Sequence, residues 1–190
     1  MSENIEKRLR RLESIEEIKQ LIARYAKACD LNGDATMLST CFTQDVVWNC
    51  KEVGHWEGRD SAVKGIHESC TVKLPWALHY MTQPVIDVDD DDISATGEYY
   101  LWELAKAKPE GGGESQDTWI GGWYESQFRR EHGAWYFNHI ELILKLLSAT
   151  DQPSWETPIP SKSRTATVCW AVIFERTRTK ANILRTCFTG

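Results

Sequence analysis

The chain has 190 residues, of which 42% are hydrophobic and 26% charged, and this composition is typical of a single globular domain. It excludes collagen-like, low-complexity and fully disordered proteins. The formal net charge of −6, with no basic stripe along the body, argues against nucleic acid as the main partner. Nine tryptophans predict either an aromatic core or an apolar cavity lined by aromatic side chains.

The N-terminal segment is charged and amphipathic and lacks the apolar run of a secretory signal. No stretch has the length and apolarity of a membrane span, so we expect a cytoplasmic protein without a membrane partner. The six cysteines form no CxxC or CxxH pair. We therefore expect reduced, buried thiols, with no disulfide framework and no metal site.

Helices are predicted in the first part of the chain. Apolar side chains at steps of three and four predict a long amphipathic helix, which Gly33 ends in a left-handed conformation. Asp34 and Asp60 are placed to cap two further helices, and residues 54–58 read as a loop. The predicted elements of this part are helices over 5–30, 35–42 and 60–69 and one strand over 45–50.

The pattern then changes to long strands joined by short turns. The acidic run 89–92, a Pro-Gly segment over 109–113 and the tripeptide 131–133 predict the three turns. The strands between them cover 77–88, 93–107, 115–130 and 134–147. Helices followed by antiparallel hairpins predict an α+β fold without an internal repeat.

The last forty residues differ in composition from the rest. Residues 152–160 hold three of the six prolines, and residues 161–190 carry six basic residues against one acidic residue. The preceding 160 residues carry 27 acidic and 16 basic residues. We expect a domain over 1–150 and an extension over 151–190. The extension either docks on an acidic surface or comes from an altered reading frame.

Three polar residues stand where the pattern predicts burial. Tyr25 and Asp30 lie near the end of the apolar helix face, and His79 lies in a strand among apolar neighbours. A carboxylate that accepts one imidazole N–H fixes the tautomer and leaves the other nitrogen free to take a proton. The alternatives are that Asp30 is satisfied by backbone N–H groups and that His79 is a hydrogen-bonded core histidine.

Four segments follow a known order of motifs: IEEIKQLIARYAKACDLNGDATMLSTCFTQDVVW, GHWEGRDSAVKGI, ALHYMTQPVID and GGWYESQFRREHGAWYF. Over about residues 10–147 they resemble the SnoaL-like branch of the nuclear-transport-factor-2-like superfamily. The resemblance implies a cone, in which a curved antiparallel sheet wraps around N-terminal helices and holds a deep apolar pocket. Its functional relatives are bile acid 7α-dehydratases, scytalone dehydratase and hexachlorocyclohexane dehydrochlorinase, which are cofactor-free lyases with a His–Asp pair.

The resemblance also implies roles for individual residues. The motif RYAKACD matches the catalytic aspartate at Asp30 and the bile acid enzymes' tyrosine at Tyr25, and LHYMTQP matches the histidine at His79. A further acidic residue of the bile acid enzymes falls near Glu103, although a shift of one position in a strand would turn it to the opposite face. The other expected substrate contacts are Trp48, His55, Trp102 and Trp123.

These observations predict a cofactor-independent lyase. His79 would remove a carbon-bound proton from an apolar, ring-containing molecule, Asp30 would orient His79, and Tyr25 would hydrogen-bond the leaving hydroxyl or a carbonyl oxygen. Isomerisation or cyclisation on the same scaffold, a non-catalytic ligand-binding module and the small subunit of an aromatic-ring dioxygenase are the alternatives. The aromatic-rich strands need cover, so we expect a homo-oligomer, a trimer first and a dimer second.

Overall fold

The computed structural model of the protein describes residues 2–109 and 111–151. In chain order the elements are α1 (Ser2–Asp30), α2 (Ala35–Ser39), β1 (Phe42–Cys50), β2 (Gly54–Glu57), α3 (Arg59–Glu68), a π-turn (Ser69–Lys73), β3 (Trp76–Val88), β4 (Ser94–Ala107), β5 (Gln116–Glu131) and β6 (Ala134–Ala149). This order confirms the α+β class. The predicted extension lies, apart from its first residue, outside the described residues, and its separation from the domain remains a prediction.

Helix α1 is amphipathic only in its second half. There the buried side chains lie at helical spacing on one face: Ile18, Leu21, Ile22, Tyr25, Ala28 and Cys29. In the first half Ile5, Leu9 and Leu12 are all more than half exposed, because this part runs past the turn between β3 and β4. Lys7 pairs there with Asp90 at 2.8 Å. The predicted single long helix is confirmed, and its apolar face is buried only in the second half.

The chain turns sharply where α1 ends. Asn32 and Gly33 both have positive φ, 59° and 63°, as the left-handed end of a helix requires. A Cβ at Gly33 would lie 2.7 Å from the Cα of His67, so the turn packs directly against α3. The Asp34 side chain then accepts the backbone N–H of Met37 at 2.8 Å, which confirms the predicted cap of α2.

The six strands form one sheet in the order β2-β1-β6-β5-β4-β3. The neighbouring pairs are antiparallel except β1 with β6, which are parallel and join Trp48 to Ile140 in register. The sheet is curved and does not close. The resemblance implied a purely antiparallel sheet, but the observed sheet is mixed. Between β1 and β3 the chain crosses through β2 and α3 to the other edge, and β6 then returns beside β1 in the parallel direction.

The two faces of the sheet differ in what covers them. The inner face is the side against α1, and on β4 it carries the buried residues Tyr99, Leu101 and Glu103. The outer face carries Tyr100 and Trp102, which are 57% and 39% exposed. Successive side chains of a strand point to opposite faces, so the burial pattern of β4 assigns every residue of this strand to one of them.

Three local predictions differ from the structure. Residues 54–58 hold strand β2 where a loop was predicted, because Gly54–Glu57 pairs antiparallel with the end of β1. Helix α2 stops at Ser39, since Phe42 already begins β1 and is fully buried. Helix α3 is capped by Gly58 with no side-chain bond, and Asp60 lies inside its first turn.

The first buried turn of α1 is tied to the sheet by an ion-pair network, in which Arg130 faces two carboxylates, Asp92 and Glu17. Arg130 lies 3.2 Å from Asp92 and donates to the Ser14 hydroxyl at 2.8 Å. Ser14 in turn donates to Asp92 at 2.8 Å, and Arg130 also covers the ring of Trp135 at 4.9 Å. This cationic centre supplies donors to the acidic turn between β3 and β4, and we refer to it as the Arg130 clamp.

Candidate active site

Asp30 and His79 meet at the C-terminal end of α1. The Nδ1–H of His79 donates to Asp30 Oδ1 at 2.9 Å, and the backbone N–H of His79 donates to the same oxygen at 2.8 Å. Two bonds to one carboxylate oxygen fix the imidazole ring and its tautomer, so Nε2 is the nitrogen that remains available. The side chains of His79 and Asp30 are 8% and 15% exposed.

Glu103 lies on the other side of the imidazole. It is directly opposite His79 in the pairing of β3 with β4, so both side chains share the inner face. Glu103 Oε2 is 3.5 Å from His79 Nε2. Glu103 Oε1 is buried and has no hydrogen-bond partner among the described residues, an arrangement that normally requires explanation. The face of Glu103, which sequence alone left open, is therefore the inner one.

The two carboxylates control the charge of the imidazole. Burial lowers the pKa of His79, but the charge of Glu103 and the hydrogen bond to Asp30 outweigh it and raise the pKa to about 9. Burial raises the pKa of Glu103, against the opposing effect of His79. The raised pKa places a proton on the imidazole in the free site, with the Glu103 carboxylate 3.5 Å from Nε2 as a second counter-ion beside Asp30.

Tyr25 lies five positions before Asp30 in α1. Its hydroxyl accepts the indole N–H of Trp48 at 2.9 Å. Its ring packs edge-on against Phe42 and Phe137 at 5.8 and 5.4 Å. Burial raises its pKa well above the usual range. The hydroxyl thus lies in the core as the acceptor of Trp48, and the hydrogen bond from Tyr25 to a leaving group stays a prediction.

Trp48 is core in the same way. It is 3% exposed, and beyond its bond to Tyr25 its ring lies 4.7 Å from that of Trp56. Helix α3 closes over Trp56, since a Cβ at Gly65 would lie 2.1 Å from the indole. This packing explains why a glycine stands inside α3. The contacts assign Trp48 to the aromatic core.

Trp102 and Trp123 lie on the outer face, where alternation along each strand separates them from His79. Trp102 precedes the inward-facing Glu103, and its ring lies 6.2 Å from that of Trp119. Trp123 donates to Glu125 at 3.2 Å and is covered by the ammonium of Lys145. The expectation that the two tryptophans line the pocket of His79 is therefore corrected.

His55 lies in β2, at the sheet edge opposite to β3. Its ring nitrogens contact Asn49 Oδ1 at 3.2 Å and Glu57 Oε1 at 3.1 Å, and its side chain is 54% exposed. These contacts account for both nitrogens within its own hairpin. The described contacts do not bring His55 to the cluster of Asp30, His79 and Glu103.

Two cysteines beside the cluster were missed as part of the site. Cys29, Cys41, Cys50 and Cys70 are buried, as expected, and each carries a free thiol. Cys29 and Cys70, however, are each the largest influence on the other's pKa, and both interact electrostatically with Glu103. Forty-one positions separate them, and no motif signals such a contact. Their nearness follows only from the way α1 packs on the π-turn.

Comparison with known protein families finds a match to the SnoaL-like domain over residues 10–141. The chain belongs to the SnoaL-like family. This finding confirms the resemblance drawn from its motifs. A comparison with curated proteins finds no match.

Solved structures share the fold at low identity. LinA has a TM-score of 0.67 with 18% identity, over 82% of this chain and 99% of its own. LinA-type3, a hexachlorocyclohexane dehydrochlorinase from Novosphingobium barchaimii, has 0.65 and 19%, over 81% and 99%. A scytalone dehydratase-like protein of Novosphingobium aromaticivorans has 0.65 and 19%, over 81% and 98%. At such identities the likeness establishes the fold.

Two further findings concern the described part of the chain alone. Within residues 2–109 and 111–151, no group of three or more His, Cys, Asp and Glu side chains is arranged to hold a metal ion. In the same residues, no helix combines the length and apolarity needed to cross a membrane.

Proposed function

We propose that this protein is a cofactor-independent lyase of the dehydratase type. It would remove a carbon-bound proton from an apolar, ring-containing molecule and expel a hydroxyl group from the adjacent carbon. The observation that carries the proposal is the buried imidazole of His79 held between two carboxylates, Asp30 and Glu103, one of which has an unpartnered oxygen. A fold shared with a dehydrochlorinase and a scytalone dehydratase-like protein supports it.

Asp30 is the orienting residue in this proposal. Its Oδ1 accepts both N–H groups of His79, so Nε2 faces the reacting carbon in every turnover. A carboxylate in this position also stabilises the imidazolium that forms when Nε2 takes the proton. Asp30 therefore acts through His79 and needs no contact with substrate.

Glu103 supplies the acid. The proton of the resting pair lies on His79, where it cannot serve a base, but the pair titrates as a unit. An apolar substrate displaces the remaining water, and a dry site favours the neutral pair over the ion pair. The proton then lies on Oε2 of Glu103, which leaves Nε2 of His79 free to accept a proton.

The elimination returns the two residues to their resting protonation states. Nε2 takes the proton from carbon, the electron pair of the C–H bond forms the double bond, and the C–O bond breaks. The departing oxygen takes the proton of Glu103 and leaves as water. His79 ends as the imidazolium and Glu103 as the carboxylate, which is the resting state of the site, so no proton exchange with solvent is needed before the next turnover.

The test uses a panel of cyclic β-hydroxy ketones and hydroxy-steroid thioesters, assayed by the absorbance of the new conjugated double bond. We expect His79→Ala to lose on the order of 10²–10⁴-fold in kcat or more, the range of general acid–base contributions. His55→Ala is the matched control, since its exposed ring is held within its own hairpin, and it should retain full activity.

Glu103→Gln tests the acid separately. It should slow loss of hydroxide by about the same factor, while loss of acetate from the matching ester, which needs no protonation, should slow much less. A substrate that His79→Ala turns over at the wild-type rate contradicts the mechanism. A product with the mass of the substrate would indicate an isomerase, the alternative that shares the first step.

A further inference from the structure

Two buried thiols that the proposed reaction does not use lie beside the active-site cluster. Cys29 is the residue before Asp30 in α1, and Cys70 is the second residue of the π-turn that follows α3. Each thiol is the largest influence on the pKa of the other, and the two residues are 4% and 6% exposed. Two elements far apart in sequence thus bring two sulfur atoms together.

The backbones that carry the two thiols are held in close contact. The turn after α1 approaches the π-turn so closely that a Cβ at Gly33 would lie 3.2 Å from the Cβ of Cys70. The Nδ1–H of His67 donates to the Gly33 carbonyl at 3.0 Å and ties the end of α3 to the same turn. Packing on both sides therefore fixes the turn after α1 against the segment that carries Cys70.

The surroundings make the pair unequal. The thiol of Cys29 and the positive charge of His79 lower the pKa of Cys70 against the effect of burial. The thiol of Cys70, together with burial, raises the pKa of Cys29. Burial alone dominates at the other two described cysteines and raises the pKa of Cys41 to about 11 and that of Cys50 to about 12.

We propose that Cys70 and Cys29 form an oxidation site, at which a hydroperoxide converts the two thiols into an intramolecular disulfide. The sulfur of Cys70 attacks one peroxide oxygen, an S–O bond forms as the O–O bond breaks, and the second oxygen leaves with the thiol proton as water or an alcohol. Cys70 is then a sulfenic acid, oxidised by two electrons, and the peroxide is reduced by two.

The second step uses Cys29. Its sulfur attacks the sulfur of the sulfenic acid, the S–S bond forms, the S–O bond breaks, and the hydroxyl group leaves with the Cys29 proton as water. The product links the end of α1 to the π-turn one residue away from Asp30. This inference goes beyond the proposed function, because it requires neither the substrate nor the turnover of His79.

The experiment treats the full-length protein with hydrogen peroxide, quenches with catalase, alkylates the remaining thiols and maps the link by mass spectrometry without reduction. We expect a Cys29–Cys70 link that a dithiol reductant reverses. Cys29, Cys41 and Cys50 share the tryptic peptide 28–51, so fragment spectra must assign the cysteine. A Cys169→Ser/Cys187→Ser variant removes the two cysteines beyond the described residues and should give the same link.

Two single variants make the order of events testable. Cys29→Ser removes the resolving thiol, so dimedone should label Cys70 roughly 10-fold faster than Cys41 in that protein, as thiolate content predicts. Cys41→Ser, a change at a buried thiol bonded to the Met37 carbonyl at 3.3 Å, should leave the rate of link formation unchanged. Absence of the link in the wild-type protein, or preferential linkage of Cys41, Cys50, Cys169 or Cys187, overturns the proposal.

Discussion

The two places where α1 is tied to the sheet contain similar residue types but differ in their balance. At the Arg130 clamp, one guanidinium supplies donors to Asp92 and Ser14. At the other place, two carboxylates converge on the single imidazole of His79. The clamp has donors for its acceptors, whereas the second network has more acceptors than donors and leaves Glu103 Oε1 unpartnered.

This difference distinguishes attachment from chemistry. The guanidinium of Arg130 is not deprotonated in proteins, so the clamp gains stability from its bonds and has no proton to exchange. A buried network with excess negative charge holds a proton whose position depends on what enters the site. Mutations at Ser14 or its partners and at Asp30, two separate places along α1, therefore allow stability and activity to be separated.

The largest expected effect is on activity at the acceptor-rich network. Asp30→Asn removes the charge that orients His79 and stabilises its imidazolium while keeping the volume, so kcat should fall on the order of 10²–10⁴-fold. The variant should still fold, as circular dichroism would show, but its melting temperature should fall because His79 loses one of the two charges that stabilise its imidazolium. If the variant is destabilised but its folded fraction keeps full specific activity, Asp30 stabilises the fold as the Arg130 clamp does and has no role in the reaction.

The next effect is a pH dependence of stability. The pKa of His79 is about 9 in the folded chain against an ordinary 6.5, so its contribution is complete below pH 6.5 and is lost as pH rises through 9. The free energy of unfolding should fall by roughly 3 kcal/mol across this window. The raised pKa of Glu103 acts in the same direction from lower pH.

Urea unfolding at pH 6.5 and pH 9 measures this loss. His79→Gln is the control, since it keeps a polar side chain of similar size without an imidazole that titrates. The control should show a much smaller fall between the two pH values. Equal falls in both proteins would mean that the two carboxylates do not hold the proton on His79.

A smaller effect, on stability alone, is expected at the clamp. Arg130→Met keeps the aliphatic stem but removes the guanidinium donors from Asp92 Oδ2 and from the Ser14 hydroxyl oxygen, so unfolding should become easier by about 1–3 kcal/mol. The specific activity of the folded protein should not change, because the clamp does not touch His79. Loss of activity in proportion to that of Asp30→Asn would remove the distinction between the two places.

The smallest effect on turnover is expected on the outer face. Trp102→Ser changes a side chain that is 39% exposed and directed away from Glu103, so kcat should stay at the wild-type value. If the outer face covers itself by self-association, as predicted from its aromatic strands, light scattering should report a smaller species for this variant. A reduced kcat in an unchanged assembly would return Trp102 to the substrate site.

The sequence alone was sufficient to predict the regular strands and the one residue pair that short motifs mark, Asp30 with His79. The strands of the hairpins follow from alternation and turns, and the contact of Asp30 with His79 was anticipated from two short motifs. Tyr25 matched a motif equally well, yet its hydroxyl is used inside the core by Trp48. A motif gives the position of a residue along the chain. The contacts of its side chain depend on tertiary packing, which the spacing of residues in the sequence does not encode.

The remaining differences have the same physical origin. Glu103 and Trp102 are neighbours in sequence, and only the register of β4 decides which of them faces α1. The pairing of Cys29 with Cys70 depends on how closely the turn at Gly33 packs. Such contacts are set by tertiary structure and were beyond the reach of local patterns.

The parallel pairing of β1 with β6 has a consequence for synthesis on the ribosome. Asn49 donates to both oxygens of Glu141, 92 positions later. At about 5–20 residues per second, roughly 5–20 s pass between the appearance of these two residues. During that time β1 has no partner on the β6 side, so its open edge is where a nascent chain would first need protection by chaperones.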